Sequence, residues 1–139
     1  MNKKASAILG QEVEAGVQLE AKELVKGAVG NGLLGSFTGA VLAGNEVKGE
    51  SLPGDHKGII YMAVGTNDVA FFSVKRGLFK NSLTQLLSQY PRSEVEAMEI
   101  EKGMMPTTHI VFQDGTHYAL KCAKINVEKL KEVQELLTN

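Results

Sequence analysis

The chain has 139 residues, with 15 Lys and Arg against 16 Asp and Glu and a formal net charge of −1. That balance gives no global pull toward nucleic acid or an anionic membrane, and no nucleic-acid partner is expected. The single cysteine, Cys122, excludes an internal disulfide and fits a reducing compartment, and the length suits one domain with its own core.

Met1–Gly10 carries Lys3 and Lys4 but only a short apolar run before Glu12, unlike a secretory signal, so a cytoplasmic location is expected. It reads as a short helical or frayed arm. Glu12–Lys22 alternates without a break: Val13, Ala15, Val17, Leu19 and Ala21 on one side, and Glu12, Glu14, Gly16, Gln18, Glu20 and Lys22 on the other. Period two predicts a half-buried strand. A helix starting within Leu19–Lys26 is the competing reading, because Glu and Lys tolerate helix well.

Gly27–Asn45 is uncharged and holds six glycines. Its glycines lack the spacing of a phosphate- or dinucleotide-binding loop, and no cofactor is expected. Val29, Leu33, Phe37 and Val41 recur every fourth residue, and Gly35 and Gly39 have the spacing that lets helices pack closely. Leu33, Gly35, Phe37, Gly39 and Val41 are therefore candidate contact residues. Three readings are open: packing on the chain's own barrel, self-association, or membrane contact. For the last, Asn31, Ser36 and Thr38 make a marginal span.

Val47–Lys57 reads as a polar loop with a turn at Pro53-Gly54. Ile59–Val64 and Val69–Val74 are strands joined across Gly65-Thr66-Asn67-Asp68. Lys75, Arg76 and Lys80 follow as a small basic cluster. It could meet a phosphate or an acidic peptide, against the plainer reading of a solvated turn. Leu83–Tyr90 has helical spacing, but Pro91 follows at once and both neighbours read as strand, so strand is predicted. In Val95–Lys102, Val95 is out of phase with Met98 and Ile100, which predicts a bulge near Glu96-Ala97.

His109–Lys121 is a hairpin around Asp114-Gly115. A three-residue loop, Gln113-Asp114-Gly115 with Gly115 left-handed, gathers Ile110, Phe112, Tyr118, Leu120 and Cys122 on one face. His109, Val111, His117, Ala119 and Lys121 then point the other way. The two histidines invite a metal site, but no carboxylate or third ligand stands at ligand spacing, so two solvated histidines and no metal are expected. Asn126 is a candidate N-cap for a terminal amphipathic helix with Val127, Leu130, Val133 and Leu137 as its apolar stripe.

Seven strands followed by one helix predict a mainly β fold, a bent sheet or barrel capped by the helix, with 27–45 inserted between the first two strands. The order resembles the pleckstrin-homology (PH)-like domains, in particular the small bacterial ones. The resemblance runs from Val69 to Leu137. It is carried by Asp68-Val69-Ala70-Phe71-Phe72 leading to Lys75-Arg76-Gly77, by Tyr90-Pro91-Arg92-Ser93-Glu94-Val95, by Phe112-Gln113-Asp114-Gly115 and by the terminal helix. It implies no shared catalytic residues. Lipid-binding members carry basic residues after the first strand, where this chain has the uncharged Gly27–Asn45.

No catalytic group emerges either. On the hairpin register Cys122 faces the core, away from both histidines, and the carboxylates of Glu94, Glu96, Glu99 and Glu101 fit a solvated strand face. The expected function is a non-catalytic interaction module for a protein, a peptide or a membrane surface. A homo-oligomer assembled through the glycine-rich segment is the alternative, and an enzyme the least favoured.

Overall fold

The computed structural model of the protein describes residues 1–22 and 49–138. The candidate contacts Leu33, Gly35, Phe37, Gly39 and Val41 lie outside them. Among the described residues two α-helices, α1 (Asn2–Leu9) and α2 (Val127–Thr138), flank eight strands: β1 (Val13–Ala21), β2 (Glu50–Ser51), β3 (Ile59–Gly65), β4 (Asp68–Lys75), β5 (Ser82–Pro91), β6 (Val95–Glu101), β7 (Thr107–Phe112) and β8 (His117–Lys121). The order across the sheet is β5-β4-β3-β1-β8-β7-β6, antiparallel throughout, with the short β2 parallel to β8. β5 and β6 end this path, so the sheet bends without closing. β1 is the pivot: it pairs with β3 along its length and meets β8 only at Glu20–Lys121 and Ala21–Leu120. β2 takes the other end of β8, opposite His117 and Tyr118.

The inner face holds the main core. Leu19, Ile60, Met62, Phe71, Ile110, Phe112 and Leu120 are fully buried there, and Leu130 and Val133 of α2 close it. Phe112 stacks on Tyr90 at 3.8 Å and meets Phe71 and Tyr118 edge-on, so aromatic contacts join the two halves of the sheet.

The hairpin has the expected three-residue loop. Ile110 faces Tyr118, the Phe112 amide donates to the Thr116 carbonyl, and Gly115 sits at φ 88°. The strand at Leu83–Tyr90, the bulge between Val95 and Ala97, and the apolar stripe of α2 are also present.

Three expectations need correction. A register shift between Val13 and Ala15 turns Val13 out of the main core into a second cluster on the other face of the sheet. There the N-terminal arm is the helical of its two readings and not the frayed one, and it is docked: Ala5 is fully buried in a cluster with Ile59, Tyr61, Phe72 and Leu83. Val47–Lys57 is not wholly a polar loop, since it contains β2 and a 3₁₀ turn at Pro53–Asp55, with Leu52 in the core. Asn126 lies in a 3₁₀ turn (Lys124–Asn126) and its amide reaches the Gln18 carbonyl at 3.5 Å instead of serving as a side-chain cap.

Candidate functional site

Pairing and hydrogen bonds set three loops beside one row of the sheet. A row of partners runs from Ser82–Lys75 to Val74–Ile59, Ile59–Glu20, Glu20–Lys121, Lys121–Thr107 and Thr107–Glu101. Segment 76–81 leaves this row on one side and 102–106 and 122–126 leave it on the other; these three contain no Asp or Glu, whereas 49–58, which leads into β3, contains Glu50 and Asp55. Asn81 Nδ2 donates to Gln18 Oε1 at 3.0 Å, while Asn126 reaches the carbonyl of the same Gln18. One β1 residue thus ties the β4–β5 loop to the connection before α2.

These loops carry apolar side chains that the fold does not bury. Leu78 and Phe79 are 97% and 100% exposed, Met104 94% and Ile125 88%; Met105 is also exposed. Their basic neighbours Lys75, Arg76, Lys80, Lys102 and Lys124 are exposed too. The predicted cluster of Lys75, Arg76 and Lys80 is therefore assembled, but around a hydrophobic tip that the basic spacing alone did not reveal. Arg76 meets Glu20 at 3.5 Å, both well exposed, a pairing that contributes little in water. Gly77 lets the loop turn tightly, because a Cβ there would collide with the Lys80 carbonyl oxygen.

The histidine pair is the second constellation, and here the expectation of solvated side chains fails. His117 is fully buried and His109 nearly so, together with Val111 and Ala119 on the same face. His109 Nδ1 lies 2.8 Å from His117 Nε2, and His109 Nε2 lies 3.2 Å from Glu101 Oε2. Glu50 is the cross-strand partner of His117 on β2, and its carboxylate also meets Lys22 Nζ at 3.5 Å. Four side chains thus cross the sheet in a line, from Glu50 through His117 and His109 to Glu101. Glu101 is not merely part of a solvated acidic face.

No sequence spacing connects Glu50 to residues 109 and 117, because a two-residue strand leaves no periodic signal. One signal was present: this hairpin face carries Val111 and Ala119 and no charge before Lys121, a poor composition for a wet surface.

Cys122 is buried on the inner face, as its phase predicts, and burial pushes its thiol pKa up. Burial likewise raises Tyr61 and Tyr118 to about 12. Among the described residues no helix is long and apolar enough to cross a membrane. Comparisons with protein-family models, with curated proteins and with solved structures each return no match.

Proposed function

We propose that the protein is a non-catalytic module of PH-like type that docks peripherally on anionic membrane surfaces through its β4–β5 loop. The observation that carries this reading is the full exposure of Leu78 and Phe79 between Lys75, Arg76 and Lys80. Exposed apolar side chains ringed by cations fit the interfacial region of a bilayer: the apolar tips enter the acyl boundary and the cations stay among the headgroups. Met104 and Ile125, beside Lys102 and Lys124, are a second group of exposed apolar side chains with basic neighbours. The PH-like part of the proposal starts from the mainly antiparallel sheet with its C-terminal helix and adds to it the resemblance of the sequence motifs. Recognition in this reading is by negative charge and apolar depth.

The test is flotation of the full chain with vesicles of phosphatidylcholine containing or lacking phosphatidylserine. Binding is expected to require the anionic lipid and to weaken with salt, since charges outside a Debye length of about 8–10 Å are screened. The double variant Leu78→Ser with Phe79→Ser should lose about tenfold or more in vesicle affinity while melting as the wild type does. Equal binding to neutral and anionic vesicles, or none to either, contradicts the proposal.

A second reading rests on β5, which ends the strand path and over its ten residues carries no charged side chain. Such an edge accepts an added peptide strand, whereas the β6 edge carries Glu96, Glu99 and Glu101. Peptide capture that survives the Leu78/Phe79 double variant would favour this reading.

A further inference from the structure

We infer that His109, His117 and Glu50 form a binding site for a divalent transition-metal ion of the zinc type, with Glu101 as the group that orients His109. The inference is independent of the membrane reading, because it rests on the buried histidine face of β7 and β8.

One ligand atom from each of Glu50, His109 and His117 lies within 4.8 Å of the other two. Zinc takes imidazole nitrogen and carboxylate oxygen at about 2.0–2.2 Å, so tetrahedral geometry places neighbouring ligand atoms about 3.3 Å apart. The ring nitrogens at 2.8 Å must open by about half an ångström, and Glu50 must close by at most about 1.5 Å, to reach that spacing. Rotamer adjustment covers both. β2 is only two residues long and is held to β8 by pairing and by Ser51 Oγ donating to the His117 carbonyl at 3.0 Å, so it can follow Glu50 inward.

The contacts around the rings support the same geometry. Glu101 Oε2 stands 3.2 Å from His109 Nε2 and turns Nδ1 of that ring toward His117, whose Nε2 is 2.8 Å away. An ion entering between the rings takes the place of that contact, with His109 Nδ1 and His117 Nε2 as its two nitrogen ligands. The carboxylate–histidine–metal arrangement that usually tunes such a ligand is therefore already made by Glu101. Lys22 is the cation that neutralises Glu50 in the metal-free chain, and the incoming ion displaces it. Two imidazoles and one carboxylate suit zinc, with iron(II), cobalt and nickel as competitors.

The experiment titrates zinc into the full chain, stripped with chelator, against a chromophoric competitor, and follows the ring nitrogens by ¹⁵N NMR. One equivalent of zinc is expected to bind, shifting His109 Nδ1 and His117 Nε2 and leaving His56, the third histidine, unmoved. Glu101→Gln retains all three ligands and should weaken binding by about 10–100-fold. Glu50→Gln should weaken it by at least as much. Because Glu50 lies at the margin of the face, that variant stays decisive if a change at buried His117 prevents folding. Zinc-free Glu101→Gln should melt as the wild type does, and zinc-free Glu50→Gln, which gives up the Lys22 pair, should melt somewhat lower while remaining folded. Absence of binding below millimolar zinc, binding that Glu50→Gln leaves unchanged, or a shift confined to His56 would overturn the site.

Discussion

Phe112 shows how much a single position carries. It is fully buried, stacked on Tyr90 and edge-on to Phe71 and Tyr118, so Phe112→Ala should cost about 3–5 kcal/mol in a urea melt. Val111 points to the opposite face, where solvent would have made its truncation cheap. Because that face is buried, Val111→Ala should cost about 2 kcal/mol, the value of two buried methyl-sized groups. A Val111→Ala cost near zero would return the hairpin's outer face to solvent and remove the setting of the metal site. Cys122 should resist a thiol reagent in the native protein at neutral pH and react once unfolded, since burial raises its pKa. Tyr61 and Tyr118 titrate near 12 in the fold against an ordinary value of 10.0. The unfolded chain therefore loses these protons first, and the stability tied to the neutral phenols is complete below pH 10 and lost as pH rises toward 12. Absorbance titration and melting across that window should show both effects, and phenols that all ionise at pH 10 would contradict the burial.

At the level of elements, legibility followed the length of the periodic signal. The hairpin was readable to the residue because parity over Ile110, Phe112, Tyr118 and Leu120 admits one loop length, and α2 was readable from its stripe. β2 was not, because two residues carry no period, and with it went the meeting of Glu50 with His117. The role of α1 was also hidden. A short helix docks by small side chains such as Ala5, and its other ties are long-range: Lys4 Nζ donates to the Leu83 carbonyl at 2.8 Å and the Tyr61 hydroxyl to Asn2 Oδ1. At the opposite end of the sheet, Arg92 holds three elements together. Its guanidinium donates to Glu14 Oε2 at 2.9 Å, the Gly65 carbonyl at 3.0 Å and the Leu136 carbonyl near the end of α2 at 2.8 Å. Arg92→Ala should cost about 2–3 kcal/mol. Arg92→Lys should recover only part of it, because an ammonium cannot reach three separated acceptors as the planar fork does. Full recovery by lysine in equilibrium unfolding would show that only the charge at this position matters.

Across the whole molecule two regions of the sheet differ in kind. Around Arg92 the sheet is tied to the C-terminus of α2, whereas the β4–β5 loop presents Leu78 and Phe79 uncovered among Lys75, Arg76 and Lys80. The basic triad was legible in the sequence, but its apolar company was not. Leu78 and Phe79 lie in the same short segment, but their spacing carries no period that would tell an exposed tip from a buried one. A chain that leaves these side chains uncovered has put them where they lower the free energy of a contact, and the surrounding cations select an anionic one. The chain has no tryptophan, so Phe79→Trp places a single indole reporter at the tip of that loop. The direct measurement is its fluorescence with phosphatidylserine-containing vesicles, some carrying brominated acyl chains. The account predicts a blue-shifted emission quenched by the brominated lipid and restored to the aqueous spectrum by high salt. An emission that stays at its aqueous maximum and is not quenched at saturating anionic lipid would contradict it.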